Sequence, residues 1–341
     1  MKRRLILHIG AHRTATSALQ TYLFDNFKNL KTKGFLYPFR VRRHLKLMNQ
    51  IFAGKRDVRE AAETIAQRAD DHPEDIHTII LSDEDICLRQ DLSLLGQFRE
   101  IFDVKVVFTL RRQDTWLESW FLQNIKWQWN DKLSHCSLAE FMAMREDFHW
   151  IHYDRYVRHL EQVFGADNII LNIHEKQQMQ GGPIETFCHS IGLTDTSGFT
   201  SPARMNESFP PKISEFMRCL PLDQAPTDYR SMLTSVCAGI GRGLSGGDAT
   251  QSERIVPHAD RGELMRHYQS GNHALAQRYF DRDALFLDPL PGPDAPITDM
   301  TLPADSYVLM EQFVAPLMKA IIQNQKKDAE KPPQDAAKTG T

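Results

Sequence analysis

The sequence predicts an α/β fold in which a central parallel sheet lies between layers of helices. Short runs of branched apolar residues recur along the first half of the chain, and segments with helical periodicity separate them. Polar residues follow several of these runs directly, which is typical of strands that deliver side chains to a ligand at their carboxyl ends. The alternation continues to about residue 195, so most of a large domain is accounted for.

The first apolar run is followed by a turn with the composition of an anion site. Residues 5–9 read as a buried strand, 10–15 as a tight polar turn, and a helix then runs from Thr16 to about Lys31. The first N–H groups of a helix lack internal partners and lie at the positive end of its dipole, so they attract an anion. The turn adds a charge and hydroxyl donors from Arg13, Thr14, Thr16 and Ser17. Simple capping of the helix is the alternative interpretation.

A second strand end carries acidic residues. Residues 76–81 form the second buried strand. Before it we predict an edge strand at 35–38 and a helix at 57–70, and we expect the arginines at 40, 42 and 43 to be solvated. Glu84 follows the second buried strand, at the same edge of the sheet as Arg13. In the alternative interpretation these residues have a structural role only. Ser82 caps the next helix, and the carboxylates that follow it stabilise the positive end of the helix dipole.

A third strand end carries an arginine. Residues 104–110 are the most β-branched run in the chain, and Arg111 follows them, before a helix at 113–127 that contains Ser119. A guanidinium at a strand end can hold a phosphate through two hydrogen bonds, and a hydroxyl on the following helix can reach the same anion. In the alternative interpretation this arginine pairs with Asp114 or Glu118.

The remaining segments complete a domain that we place at residues 1–287. A helix at 153–165, a strand at 168–173 and a helix at 182–193 are followed by a helical or mobile insertion at about 209–260 and a helix at 263–286. Residues 288–325 form a proline-rich linker and a last helix, and the polar tail at 326–341 is expected to be disordered.

Composition narrows the class of ligand and the location. The net charge is −3 and the sequence pI is near 6.5, so we expect no general attraction to nucleic acid or to an anionic membrane. Any anion site is then local, and we expect a small anionic ligand. No apolar run is long enough to span a membrane or to act as a secretion signal. The scattered cysteines show no metal-binding spacing and favour reduced thiols in the cytoplasm.

The turn at 10–17 resembles the 5′-phosphosulfate loop of bacterial sulfotransferases that use PAPS (3′-phosphoadenosine 5′-phosphosulfate), which often reads His-Ile-Gly-x-x-Lys-Thr-Gly-Thr-Thr. It departs from that pattern at Arg13 and Ala15, which stand where the family has lysine and glycine. It also departs from the nucleoside-triphosphate loop, because Ala15 stands where that loop has its second glycine and Thr16 where it has its lysine. Arg111 with Ser119 resembles the family's 3′-phosphate site, and residues 204–208 resemble its late Arg-x-Asn-x-Ser element. The resemblance covers about residues 5–286.

The resemblance implies a P-loop-NTPase-like fold and transfer of a sulfuryl group from PAPS to a hydroxyl or amine, with no metal. It assigns the nucleotide site to Arg13, Thr14, Ala15, Thr16, Ser17, Arg111, Ser119 and Arg204. Glu84 is then the candidate general base and His12 the second candidate. The acceptor, a glycan, lipid or small molecule, and the oligomeric state are not indicated. A kinase and a non-catalytic nucleotide-binding module are the alternatives.

Overall fold

A computed structural model describes residues 2–202, 210–244 and 254–329 of the chain. The chain divides into two compact units. The first lies within residues 1–117, 143–207 and 258–292, and the second within 118–142, 208–257 and 293–341. Each unit therefore draws on segments from both sides of the boundary predicted at residue 287.

The first unit contains a five-stranded sheet in which all strands are parallel, as predicted. The spatial order is β2-β3-β1-β4-β5, with β1 at Arg4–His8, β2 at Phe35–Leu36, β3 at Thr78–Ser82, β4 at Asp103–Leu110 and β5 at Ile169–Ile173. In the central strand, Leu5 pairs with Ile79 on one side and Val104 on the other. Strands enclosed in this way are apolar on both faces, which is why continuous apolar runs predicted them correctly. The arrangement is consistent with a three-layer α/β/α fold.

Two 3₁₀ helices separate β3 from β4, and α-helices follow each of the other strands. The α-helices are α1 (Thr16–Asp25), α2 (Phe27–Thr32), α3 (Leu45–Phe52), α4 (Val58–Asp70), α5 (Gln113–Trp127), α6 (Asp131–His135), α7 (Leu138–Ala143), α8 (Tyr153–Phe164), α9 (Gly182–Ser190), α10 (Pro211–Arg218), α11 (Thr227–Leu244), α12 (His258–Phe280), α13 (Ser306–Leu309) and α14 (Ala315–Ala329). A π-helical turn at Met310–Val314 joins the last two. Among the described residues, no helix is long and apolar enough to cross a membrane.

The helix predicted from Thr16 to Lys31 is interrupted at Asn26. The side-chain amide of Asn26 donates to the carbonyl oxygens of Tyr22 (2.9 Å) and Thr200 (2.8 Å), and its carbonyl accepts from the Thr200 amide (2.7 Å). These bonds hold the chain at residue 200 against the end of α1. Apolar spacing does not record such a polar contact, so the sequence predicts one continuous helix where there are two.

The expected helix start at Ser82 is also different. Ser82 is the last residue of β3 and is fully buried, and its hydroxyl bonds with His8 Nδ1 (2.7 Å) and accepts from Gln20 Nε2 (3.2 Å). Asp83 is the cap instead, accepting from the Asp85 amide (3.3 Å) at the start of a 3₁₀ helix, Glu84–Leu88. The strand continues one residue further than predicted because Ser82 pairs with His8 of β1.

The second unit is helical in the parts that the structure describes. Phe121 of α5 packs edge to face on Phe141 (5.3 Å between ring centroids), and Phe216 of α10 packs on Phe313 (5.3 Å). Of the two alternatives predicted for 209–260, residues 210–244 follow the helical one, and 245–253 lie outside the described residues. Gly241 lies where α11 meets α10, since a Cβ there would be 3.0 Å from Ile213 Cγ2.

The C-terminal segment is described up to Ala329. The sequence predicts a helix from about 306 to 323 and a disordered tail from 326, whereas α14 continues to Ala329. Its last residues therefore lie within the segment predicted to be disordered. Residues 330–341 are outside the described residues.

Candidate functional site

The loop that follows the central strand first continues its pairing with β4 and then turns away. The Ile9 amide donates to the Val107 carbonyl (3.1 Å), the Thr109 amide donates to the Gly10 carbonyl (2.7 Å), and the Ala11 amide donates to the Thr109 carbonyl (3.4 Å). These bonds fix the base of the loop to the sheet. The residues from His12 onwards are consequently presented at the carboxyl edge, where parallel sheets hold their ligands.

The loop reaches α1 through two residues with left-handed backbone. Arg13 has φ 65° and Ala15, the N-cap of α1, has φ 64°. Side chains other than glycine are strained in this region, which explains why the resembling loops have glycine at the position of Ala15. Strained backbone of this kind is concentrated at ligand sites. The Ala15 side chain makes no capping bond, so helix capping by that residue does not explain the loop.

The predicted hydroxyl donors differ in availability. The Thr14 hydroxyl donates to the Ala11 carbonyl (2.6 Å) and the side chain is buried, so this group stabilises the loop rather than offering a free proton to a ligand. Thr16 and Ser17 are the first two residues of α1. Their backbone amides lie at the positive end of the helix dipole.

Glu84 lies directly against the loop. A Cβ on Gly10, which has φ +100°, would be only 3.0 Å from Glu84 Cβ. The Glu84 side chain is buried and accepts a hydrogen bond from Gln20 Nε2 of α1. The ends of β1 and β3 therefore bring the predicted loop and the predicted base into contact.

Arg43 neutralises the acidic end of β3. Its Nε lies 2.6 Å from Asp83 Oδ1 and 3.4 Å from Glu84 Oε2, and its Nη2 lies 2.6 Å from Asp85 Oδ2. The sequence grouped this residue with Arg40 and Arg42 as solvated; those two are exposed, but Arg43 is not. Three successive acidic residues at a buried strand end require a counter-charge, and that was the signal available in the sequence.

The two outer carboxyls of this cluster are affected differently. Burial raises the pKa of Asp83 to about 6, although the charge and hydrogen bond of Arg43 act in the opposite direction. Burial also acts to raise the pKa of Asp85, but bonds to His12 and Arg43 outweigh it and hold that pKa at about 2. Asp85 is therefore ionised at neutral pH.

His12 is buried and oriented from two sides. Its Nε2 lies 2.9 Å from Asp85 Oδ1, and its backbone carbonyl accepts from Trp116 Nε1 (2.9 Å). The second candidate base is therefore held beside the acidic cluster, within the same loop as Arg13.

Arg111, at the end of β4, contacts the loop directly. Its Nη1 donates to the Arg13 carbonyl (2.7 Å), and its Nε donates to the Thr115 hydroxyl (3.3 Å). The backbone amide of Arg111 donates to the Tyr153 hydroxyl (3.0 Å). The two arginines that the sequence assigned to separate phosphates are thus brought together at neighbouring strand ends.

The alternative considered for Arg111, an ion pair with Asp114 or Glu118, is found instead at Arg112, which pairs with Asp114. The guanidinium of Arg112 contacts Asp114 through both nitrogen–oxygen pairs, Nε–Oδ1 (2.8 Å) and Nη2–Oδ2 (3.1 Å). Arg261 Nη1 lies 2.6 Å from Asp114 Oδ2. Glu118, the other predicted partner, accepts the amides of Ile255 and Val256, each at 2.8 Å.

His174 extends the group to a fourth strand end and was not among the residues predicted from the sequence. It directly follows β5, and its amide donates to the Leu110 carbonyl (2.6 Å). Burial, together with the charges of Arg111 and Arg13, lowers the pKa of His174 to about 4. The position of a histidine immediately after a strand was the available signal.

None of the eight nucleotide-site assignments is tested by this geometry, and two of these residues are not part of the group just described. Ser119 is buried on α5, in the part of that helix that belongs to the second unit. Arg204 lies outside the described residues. All of these assignments stay predictions.

A scan against models of known protein families finds no match for this chain, and a comparison with characterised proteins finds none either. The functional conclusion therefore depends on the chemistry of the loop and of the strand ends around it.

Proposed function

We propose that this chain is a PAPS-dependent sulfotransferase, which moves a sulfuryl group to a hydroxyl or amine of a glycan, lipid or small molecule and releases PAP. The observation that carries the proposal is the 2.7 Å hydrogen bond from Arg111 Nη1 to the Arg13 carbonyl, beside the loop that opens α1. It makes one polar site out of two motifs that lie far apart in the sequence.

A ligand with two phosphate groups fits the chemistry of this site. The amides at Thr16 and Ser17, with Arg13, suit the 5′-phosphosulfate, because a helix N-terminus and a fixed cation both stabilise an anion. Arg111 suits the 3′-phosphate, because its planar guanidinium can donate two parallel hydrogen bonds. The lowered pKa of His174 also follows in part from the positive charge collected here.

In the proposed step, the acceptor oxygen or nitrogen forms a bond to sulfur while the bond from sulfur to the 5′-phosphate oxygen breaks. The bonding pair goes to the phosphate oxygen of PAP, and the acceptor's proton goes to a base. We assign Arg13 to the charge on the departing oxygen and Glu84 to the base, since Glu84 packs against Gly10 of the same loop. His12 is the second candidate for the base.

A kinase is the weaker alternative. Phosphoryl transfer needs a carboxylate free to hold Mg²⁺, and the one suitable strand-end aspartate is Asp83. Asp83 is fully buried, and the Arg43 Nε lies 2.6 Å from its Oδ1. A divalent ion would have to displace that guanidinium.

Calorimetry with PAP, and separately with ATP and Mg²⁺, tests the proposal on the full chain. We expect saturable binding of PAP and much weaker binding of ATP–Mg²⁺. Incubation with PAPS and a panel of acceptors should then release PAP. Preference for ATP–Mg²⁺ would favour the kinase, and tight PAP binding without turnover on any acceptor would favour the non-catalytic module.

Glu84→Gln should leave PAP affinity unchanged and lower turnover by about 10²-fold or more, the usual effect of removing a general base. Glutamine keeps a carbonyl oxygen that can accept from Gln20, so the loop should stay in place. Single-turnover rates with saturating PAPS measure the effect. Glu161→Gln is the matched control, because Glu161 of α8 also pairs with an arginine, Arg278 of α12. A parent-like rate in Glu84→Gln would move the role to His12.

A further inference from the structure

A cluster of metal-ligand type lies in the first unit on segments that the proposed reaction does not use. Glu146 is in the short 3₁₀ helix Arg145–Asp147, His152 immediately precedes α8, and His267 is on α12. Two segments that are close in sequence therefore converge with a distant one, α12, and together they supply one carboxylate and two imidazoles.

The ligand atoms of these three residues lie close together. Glu146 Oε1 lies 2.9 Å from His267 Nε2, and Glu146 Oε2 lies 3.4 Å from His152 Nε2. One ligand atom from each residue can be chosen so that all lie within 4.8 Å of one another. In a tetrahedral zinc site with bonds of about 2.0–2.1 Å, neighbouring ligand atoms are about 3.3–3.4 Å apart. Small side-chain rotations would therefore bring the three residues around one ion.

The surroundings favour an ion over a plain ion pair. His152 Nε2 is shielded from solvent and has no hydrogen-bond partner within the described residues, its nearest acceptor being the Glu146 oxygen at 3.4 Å. The ring of Tyr268 packs edge to face on both imidazoles, at 5.2 Å from His152 and 4.8 Å from His267, and so fixes their planes. Arg145 Nε lies 3.5 Å from Glu146 Oε1 and competes with an ion for that oxygen.

We infer that Glu146, His152 and His267 bind a divalent transition-metal ion of the zinc class. Two imidazole nitrogens and one carboxylate oxygen suit Zn²⁺, and three protein ligands leave a fourth position for water. Such an ion would tie the Arg145–Asp147 turn and the start of α8 to α12. Its role in this arrangement is to stabilise the first unit, and sulfuryl transfer needs no metal.

The test uses the untagged full chain, freed of metal by a chelator, and titrates Zn²⁺ by calorimetry and Co²⁺ by visible absorption. We expect one equivalent of Zn²⁺ to bind, the melting temperature to rise on binding, and Co²⁺ to give the intense visible bands of a four-coordinate site. His267→Ala and Glu146→Gln should each weaken Zn²⁺ binding by at least about tenfold, since loss of even a supporting residue has that effect. The side chains of His267 and Glu146 are both partly exposed, so neither substitution should prevent folding.

Two controls make the outcome decisive. His189→Ala removes an exposed histidine that is 4.0 Å from a single glutamate, Glu185, and should not change binding. His135→Ala tests the other cluster of this kind among the described residues, Asp131, His135 and Asp223, and should not change binding. Absence of stoichiometric binding by the parent would overturn the inference. Binding that survives His267→Ala, or that is lost in His135→Ala instead, would overturn it equally.

Discussion

Replacing Arg111 with alanine is expected to lower the affinity for PAP by about 10²-fold or more. A charge-assisted hydrogen bond to phosphate contributes about 1.5–3 kcal/mol, and a guanidinium can make two of them. The variant also removes the donor to the Arg13 carbonyl, so the loop loses one of its supports. Calorimetric titration of the parent and the variant with PAP measures the change directly.

Arg111→Lys separates charge from geometry in the same experiment. Lysine keeps the charge but donates from a single point, so we expect an affinity between those of the parent and Arg111→Ala. Arg59→Ala is the control, since Arg59 is an exposed arginine of α4 paired with Glu63. Unchanged melting temperatures would show that all variants fold. An unchanged dissociation constant for Arg111→Ala would remove Arg111 from the nucleotide site.

Asp114→Ala is expected to destabilise the first unit by about 3–5 kcal/mol, because it leaves buried guanidiniums without their carboxylate. Asp114 is fully buried and receives Arg112 through both oxygens and Arg261 at 2.6 Å. Differential scanning calorimetry should show a melting temperature lower by on the order of 10 °C. Asp70→Ala is the control, because its ion pair with Arg3 is half exposed and should contribute about 0–1 kcal/mol.

Asp114→Asn keeps the shape of the side chain and makes the same prediction testable if the alanine variant does not fold. Burial acts to raise the pKa of Asp114, but the bonds and charges of Arg112 and Arg261 outweigh it and hold that pKa below the ordinary 3.8. The stabilisation is therefore complete at neutral pH and is lost as the pH falls below about 4. The parent and Asp114→Asn should converge in stability there. Equal melting temperatures at pH 7 would contradict the role of the buried pair.

Local patterns predicted the sheet well and the polar contacts poorly. Strands β1, β3, β4 and β5 were recognisable because each contains a short run rich in branched apolar residues. Helix α5 was predicted with its observed ends, since a strand-end loop and a run of helical periodicity bound it. The helix break at Asn26 was missed and Ser82 was misinterpreted, because their partners, Thr200 and His8, are distant in sequence.

The same division applies to the candidate site. The loop with Arg13, and Arg111 after β4, could be selected from the sequence because polar residues that follow apolar strands meet at one edge of a parallel sheet. His174 could have been selected on the same ground, since it directly follows β5, but Arg43 could not. Arg43 comes from a loop, and its role depends on three carboxylates that only folding brings to it.

The sequence by itself determined the α/β class, the parallel strands and the edge at which polar groups gather, because these follow from hydrophobic periodicity and from which residues end each strand. Only the tertiary structure decided which arginine serves the fold and which faces the loop. Arg111 and Arg112 are adjacent and chemically identical, yet Arg112 pairs with buried Asp114 and Arg111 donates to Arg13. The difference arises from the direction in which the end of β4 projects each side chain. No local pattern specifies that one direction meets Arg13 and the other the pair of Asp114 with Arg261.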